Sequence, residues 1–348
     1  MKVVHLLPAL EQGGVESVVC DLVRALPCES VVVSKGGRLV KRIEAAGGRH
    51  VELDLKSKNP LTYFTRAWRL RKVLRAEKPD LVCVHSRVPA WLYVGVRKLN
   101  SVIRSFGHSV IDPPWISYAH GANSVSRYSE VMTKGDLVVV PSKFLADYLK
   151  ANYRITDDKI RIIPNPVDTE RFDPTKLDQA FIAEKRREWG IEDGDHVVMA
   201  IGRITPVKGL DILIREFSGG KLIIVGGADK HHQKYLDSLK KLAKDLRRET
   251  GDVIFAGAQE KIPECIAIAD EIVSGNTTKP ETFGLSVVEA YAMNKPVRVA
   301  RRFGGVAEVM DAVEQAGSAT LREAVLKLYG MDKFAERTTA VYREACRA

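Results

Sequence analysis

The chain has 348 residues, room for two domains of ordinary size. Its 45% hydrophobic content is that of a globular protein, and no apolar run reaches the length of a membrane span. The formal net charge of +10 sits in the first half: residues 1–165 carry 26 Lys+Arg against 15 Asp+Glu, and residues 166–348 carry 28 against 29. Such a one-sided basic surface suits nucleic acid, anionic lipid or an anionic substrate.

In chain order, Val3 to Leu7 reads as a buried strand. Gly13-Gly14 follows, then a helix from Val15 to Leu26 with Val15, Val18, Val19, Leu22, Val23 and Leu26 on one face. Strand, glycine turn and helix is how an α/β fold builds a site at the carboxyl ends of its strands. The GxGxxG dinucleotide pattern is absent, so Gly13-Gly14 alone fits a plain tight turn as well as a ligand loop. Ser30 to Ser34 is the next strand and Leu39 to Ala46 a short helix. Leu61 to Ala76 is a basic helix, with Arg66, Arg69, Arg71, Lys72 and Arg75 among Tyr63, Phe64 and Trp68. Strands follow at Asp80 to His85, at Trp115 to His120 and at Asp136 to Val140. The first ends in His85-Ser86-Arg87 before a helix, the second in Ala119-His120-Gly121. A helix from Phe144 to Tyr153 and a short strand at Ile160 to Ile163 lead to Pro164-Asn165-Pro166, whose prolines hold Asn165 extended.

After a solvated helix at Gln179 to Trp189 a second series begins. Its strands are His196 to Gly202, Lys221 to Val225, Val253 to Ala256, Ile272 to Ser274 and Pro296 to Ala300. Its helices are Leu210 to Phe217 and a long basic one, Gln233 to Arg248, while residues 320–348 are largely helical. Alternating strands and helices predict parallel sheets. The five cysteines are scattered without CxxC spacing, which predicts buried, reduced thiols and a cytoplasmic protein. The N-terminus shows no cleavable signal pattern.

The stretch Lys279 to Ala290 carries the most chemistry. Ser286 followed by Glu289 reads as a capping box, with the helix starting after Ser286. Backbone N–H groups near Gly284 to Val288 then form an anion site at the positive helix end, and Gly284 admits a ligand close to the backbone. Glu281 and Glu289 flank that site. A phosphate would repel them, so as ligand contacts they belong on hydroxyls to either side of it. Read plainly, Glu289 only caps its helix and Glu281 is a solvated loop residue. Asp193-Gly194-Asp195 reads as a turn rather than a metal motif, and no His/Cys cluster has zinc spacing.

The order and spacing of these pieces resemble the retaining glycosyltransferases of family four, which have the GT-B fold. Glu281 and Glu289 around Phe283-Gly284-Leu285 look like that family's signature. Gly13-Gly14-Val15-Glu16 resembles its first glycine loop, and Ala119-His120-Gly121 its first-domain histidine. Ile163 to Asp168 resembles the hinge, where the family more often has Asn-Gly than Asn165-Pro166. Gly202-Arg203 with Lys208-Gly209 resembles the donor-phosphate pair, and Gly304-Gly305 with Glu308 the end of the donor site. The resemblance covers residues 3–310. The segment Val313 to Leu321 departs from it by lacking a Gly-rich turn.

The resemblance implies two Rossmann-like parallel-sheet α/β domains facing across a cleft. Residues 1–167 would bind the acceptor and residues 168–331 the nucleotide sugar, with a helix at 332–348 packing back on the first domain. It implies transfer of a sugar from a UDP-, GDP- or ADP-linked donor to a lipid-linked or oligosaccharide acceptor, as in lipopolysaccharide core synthesis, with no metal or other cofactor required. Arg203 and Lys208 would meet the diphosphate, Glu281 the donor sugar and Glu289 the ribose. Gly202, Phe283, Gly284 and Leu285 would contribute backbone to the donor site. Gly13, Gly14, Glu16 and Asn165 would also line it, His120 would contact the sugar, and His85 and Arg87 would help form the acceptor site. No general base is evident. A sugar-nucleotide epimerase of the same fold is the alternative. The basic first half also fits a nucleic-acid binder, but no recognition fold is visible, so nucleic acid is not an expected partner. The expected partner surface is instead an anionic membrane at the inner face, met by Arg66 to Arg75 with Phe64 and Trp68. Against this stands a solvated helix whose aromatics face the core.

Overall fold

The structure is a computed structural model and describes residues 1–11, 13–246 and 253–347. The chain forms two compact units, Met1–Pro166 with Met331–Ala348, and Val167–Gly330. Each is built on one parallel sheet clad with helices, so the fold is two Rossmann-like α/β domains.

The first sheet holds β1 (Lys2–Leu6), β2 (Glu29–Ser34), β3 (Arg49–Glu52), β4 (Leu81–Val84), β5 (Trp115–Tyr118), β6 (Leu137–Val140) and β7 (Ile160–Ile162), in the order β3-β2-β1-β4-β5-β6-β7. Val4 of β1 lies opposite Val31 of β2 and Val82 of β4. Inner strands such as Leu81–Val84 are apolar throughout because helices cover both faces. The chain reverses its direction of travel across the sheet between β1 and β4. At such a switch point the loops after neighbouring strands part and leave a crevice at their carboxyl ends. The segments that follow β1, β4 and β5 bring Gly13, His85 and His120 to that edge.

The second sheet repeats the plan with β8 (Val197–Ile201), β9 (Lys221–Val225), β10 (Val253–Gly257), β11 (Glu271–Ser274) and β12 (Val297–Val299), in the order β10-β9-β8-β11-β12. Its switch point lies between β8 and β11. The segments after these strands carry Gly202 to Lys208 and Gly275 to Gly284.

The C-terminal helix Met331–Arg347 belongs to the first unit. Phe334, Val341, Tyr342 and Ala345 pack into the cluster that holds Val3, Val18 and Leu22. The Tyr342 and Tyr118 hydroxyls share a hydrogen bond of 3.1 Å, and Arg161 pairs with Glu344. The N–H of Val167 donates to the Tyr329 carbonyl at 3.0 Å.

Several expectations are corrected. The edge strand β3 and the helices Ile262–Ile268 and Gly304–Gln315 were not anticipated. The long basic helix is described over Gln233–Asp245, and residues 247 and 248 of its expected extent lie outside the described residues. Three cysteines are buried, but Cys28 is half-buried and Cys346 exposed. The helix at Tyr63–Glu77 divides its charges. Arg66 is buried and donates to the carbonyls of Ser57 at 2.7 Å and Asn59 at 3.0 Å. Arg71 is buried and donates to Asn100 Oδ1 at 2.7 Å. These two hold the fold and cannot meet a surface, whereas Arg69, Lys72 and Arg75 are exposed. Nor do the aromatics all face the core. Tyr63 turns inward, its hydroxyl donating to the Trp91 carbonyl, but Phe64 is 73% and Trp68 50% exposed.

Candidate functional site

In the second unit, a narrow crevice opens at the switch point and is lined by Gly202, Arg203, Lys208, Gly275 and Ser286 among others. Two glycines shape it. Gly209 has φ +60°, and a Cβ there would collide with the Gly275 carbonyl, so the loop after β8 passes backbone-to-backbone against the one after β11. Gly284 has φ +89° and forms the N-cap of the helix Leu285–Ala292. That left-handed turn starts the helix before Ser286, which corrects the expected capping box. Ser286 is already helical and the N-cap is Gly284, so Ser286 is not the cap that Glu289 would bridge to.

Lys208 Nζ lies 2.6 Å from Glu281 Oε1, both side chains about a quarter exposed. The structure thus joins two expected site residues that lie far apart in sequence. Arg203 is exposed on the same loop as Lys208. The Phe283 ring is buried edge-on against Tyr329 at 5.6 Å, and Leu285 packs on the same core. Phe283 therefore has only its backbone to offer a ligand, while Leu285 is half-buried. The Gly305 N–H donates to the Glu281 carbonyl at 2.8 Å, which ties the helix Gly304–Gln315 to this loop. Asn165 lies in the first unit, two residues before the second begins at Val167, and lines neither pocket described here. Asp193 and Asp195 diverge, the one 3.5 Å from Arg186 and the other 3.6 Å from Lys221, as a turn requires.

In the first unit, a pocket of about 220 Å³ is lined by Val15, His85, Arg87, His120, Gly121 and Asn123 among others. The Glu16 carboxylate lies against the Cα of Gly13, at the start of the helix Gly14–Ala25. Arg87 donates to Ser129 Oγ at 3.2 Å. His85 is buried with both ring nitrogens engaged. Nε2 is 3.1 Å from His5 Nδ1, and Nδ1 is 3.1 Å from His120 Nε2. His85 lines this pocket with both ring nitrogens turned to its histidine neighbours.

His5 was missed because it sits inside an apolar strand. The available signal was a histidine at or just beyond the carboxyl ends of β1, β4 and β5. Burial holds the imidazoles of His5 and His120 down to about 4, and that of His85 well below its ordinary value, with its histidine neighbours adding to the effect. The unfolded chain binds protons near pH 6.5 that the folded chain refuses, so stability falls as pH drops from 6.5 toward 4. His5 alone should cost about 2 kcal/mol between pH 7 and pH 5. Urea midpoints at the two pH values measure this, and His5→Asn should shrink the difference.

Among the described residues, no group of three or more His, Cys, Asp or Glu is placed to hold a metal ion. No described helix is long and apolar enough to cross a membrane.

The profile of Glycosyltransferase Family 4 matches residues 12–171, and that of Glycosyl transferases group 1 matches residues 181–326. The chain is a GT-B-fold relative of the bacterial cell-surface glycan glycosyltransferases. A lipopolysaccharide 1,2-N-acetylglucosaminetransferase of Salmonella typhimurium is 24% identical over 266 residues, 73% of this chain and 63% of that protein. An alpha-monoglucosyldiacylglycerol synthase of Streptococcus pneumoniae is 29% identical over 47% of this chain and 36% of that protein. The chain thus spans less than two thirds of either relative. The GT-B fold is shared with a glycosyltransferase of Rickettsia africae, with a TM-score of 0.80 and 22% identity over 99% of this chain and 98% of that one. It is also shared with the Anabaena protein Alr3699/HepE, solved with UDP and glucose, with a TM-score of 0.79 and 18% identity over 99% of both chains.

Proposed function

We propose that the chain is a retaining glycosyltransferase moving a sugar from a nucleotide diphosphate sugar to a glycoconjugate acceptor of the lipopolysaccharide or cell-surface kind. The observation that carries this reading is the cluster at the second switch point. Arg203, the Lys208–Glu281 pair and the start of the helix at Leu285 meet around one crevice. Cations and free backbone N–H groups suit a diphosphate, and a carboxylate beside them suits sugar hydroxyls. The names of the relatives support it, one acting on lipopolysaccharide and another solved with UDP and glucose.

In this reading the bond from the anomeric carbon to the phosphate oxygen breaks, and its electron pair leaves with the nucleoside diphosphate. The acceptor hydroxyl bonds to that carbon from the same face, and its proton passes to the leaving phosphate. Arg203 and Lys208 stabilise the charge gained by the diphosphate. Glu281 holds donor-sugar hydroxyls and Glu289 the ribose, while Gly202 and residues Phe283 to Leu285 offer backbone. Gly13, Gly14, Glu16, Asn165 and His120 are further donor contacts, and His85 and Arg87 help form the acceptor site. No metal is required. The exposed face of the helix Tyr63–Glu77 would seat the protein on an anionic membrane where such acceptors reside.

Calorimetry with UDP, GDP and ADP tests the reading, and binding to none of them overturns it. Glu289→Ala should weaken the preferred nucleotide about tenfold or more, as for a hydrogen bond to a charged group. No capping penalty should accompany it, because Gly284 and not Ser286 opens the helix. Unchanged affinity would remove Glu289 from the site.

A further inference from the structure

We infer that the first unit holds a binding cleft for one anionic lipid chain, and that this chain is the lipid portion of the acceptor. The assignment to the acceptor rests on the reading above, whereas the cleft itself stands on the geometry of the first unit.

A second cavity of the first unit, of about 590 Å³, is lined by the helix Arg87–Ser105, by Trp115 of β5 and by the short helical segments Arg127–Glu130 and Val131–Thr133. Its volume falls among those of small-molecule sites. Trp91, Val94, Lys98 and Ser101 border it at spacings of three and four. One face of the helix therefore forms a wall about 15 Å long. That is half the hydrocarbon thickness of a bilayer, about 30 Å, and so the depth of one acyl chain. Trp115 and Val131, both buried, add apolar lining. The two indole rings are fixed in advance. Trp91 Nε1 donates to the Tyr128 carbonyl at 3.0 Å, and Trp115 packs on Tyr93 with ring centres 5.3 Å apart.

The charge around this apolar wall is one-sided. Arg97, Lys98, Arg127 and Lys134 border the cavity against one carboxylate, Glu130. Two of the cations are committed. Arg97 lies 3.3 Å from Asp112 and 3.6 Å from Asp136, and Lys134 lies 2.6 Å from Glu130. Lys98 and Arg127 are exposed and have neither a hydrogen bond nor an ion pair among the described residues. An apolar wall with uncommitted cations beside it suits a hydrocarbon chain with an anionic head. A neutral ligand would leave those charges unused, and a cationic one would be repelled.

The cleft adjoins the expected acceptor pocket through the same two elements. Arg87 and Met132 border that pocket. Trp91, one helical turn on from Arg87, and Val131, next to Met132, border the cleft. Arg87 donates to Ser129 Oγ and lies 5.3 Å from the centre of the Tyr128 ring, which ties the two elements together between the cavities. A lipid-linked acceptor thus places its head at Arg87 and its chain along Trp91 and Val94.

Titration calorimetry of the full chain with dodecyl phosphate, kept below its micelle concentration, tests the cleft. One molecule should bind per chain, and inorganic phosphate should give no heat. Shortening the chain to decyl and then octyl should weaken binding by about an order of magnitude per two carbons, as for buried methylenes. Dodecyl maltoside and dodecyltrimethylammonium should each bind at least roughly tenfold more weakly. Val94→Trp fills the cleft and should abolish binding. Lys98→Glu with Arg127→Glu alters only the exposed rim, and should weaken dodecyl phosphate at least roughly tenfold while leaving dodecyl maltoside unchanged. No binding by the native chain overturns the cleft, and so does binding indifferent to chain length, to head charge or to the rim variant. A dimer in sedimentation that Val94→Trp dissolves gives the cleft to a second copy and overturns it as well. For the acceptor, nucleoside diphosphate release is followed with a membrane lipid extract as acceptor. Dodecyl phosphate should raise the apparent KM for the extract and leave kcat unchanged. Release indifferent to saturating dodecyl phosphate assigns the cleft to bulk phospholipid and overturns the acceptor assignment. A chain that binds no nucleotide sinks the proposed function and the acceptor assignment with it, while dodecyl phosphate still decides the cleft.

Discussion

Replacing Arg203 or Lys208 with Ala is expected to cut turnover by roughly two to three orders of magnitude, the loss typical of a group aimed at charge that develops in the transition state. The departing diphosphate gains charge as the anomeric bond breaks, so a cation fixed beside it is worth more then than in the ground state. Lys208 is held 2.6 Å from Glu281 rather than left to wander in solvent. That contact makes a second expectation quantitative. Residues in contact are not additive, so the Lys208→Ala, Glu281→Ala double variant should lose less than the product of the two single losses. Arg203→Lys should fall between native and Ala, because it keeps the charge and gives up the planar fork. Initial rates of nucleoside diphosphate release from the preferred donor measure all five variants, Glu281→Ala included. Near-native rates for both Arg203→Ala and Lys208→Ala would reject the assignment.

The parts of the fold legible in the sequence are those whose local pattern and tertiary role agree. Val31 to Val33 and Leu81 to Val84 are apolar because both sheet faces are covered, and the same fact makes them readable as strands. β3, Arg49–Glu52, has no such run, since an edge strand facing solvent carries charge. The helix Ile262–Ile268 is too short for a clear period. Site residues divide the same way. Arg203, Lys208 and Glu281 stand in loops at strand ends, where a sequence reading looks for them. The capping box failed because the left-handed turn at Gly284 starts the helix itself, and spacing alone does not report φ. His5 was invisible because its partners, His85 and His120, reach it only through the pairing of β1, β4 and β5. The buried Arg66 and Arg71 looked like surface charge because the carbonyls and the Asn100 amide that receive them are set by tertiary packing.

That division of charge redraws the membrane expectation. The face available for an anionic surface carries Leu61 at 88%, Phe64 at 73% and Trp68 at 50% exposure, with Arg69, Lys72 and Arg75 exposed beside them. The Lys72 ammonium sits 3.7 Å from the centre of the Trp68 ring, so cation and aromatic occupy one patch. A basic side chain near an anionic leaflet contributes about 1 kcal/mol, and Trp and Phe sit well at headgroup depth. Flotation with phosphatidylglycerol vesicles should therefore carry the native protein upward at low salt and release most of it at high salt. Changing Arg69, Lys72 and Arg75 together to Ser should weaken binding by about 3 kcal/mol, on the order of a hundredfold. Phe64→Ser with Trp68→Ser should remove the part that survives high salt. Arg66 is left out of the test because its substitution would free the Ser57 and Asn59 carbonyls and disturb the fold rather than the surface. Equal flotation of the triple variant and the native chain would remove this helix as the contact. A native chain that never floats would end the membrane proposal while leaving the diphosphate site untouched.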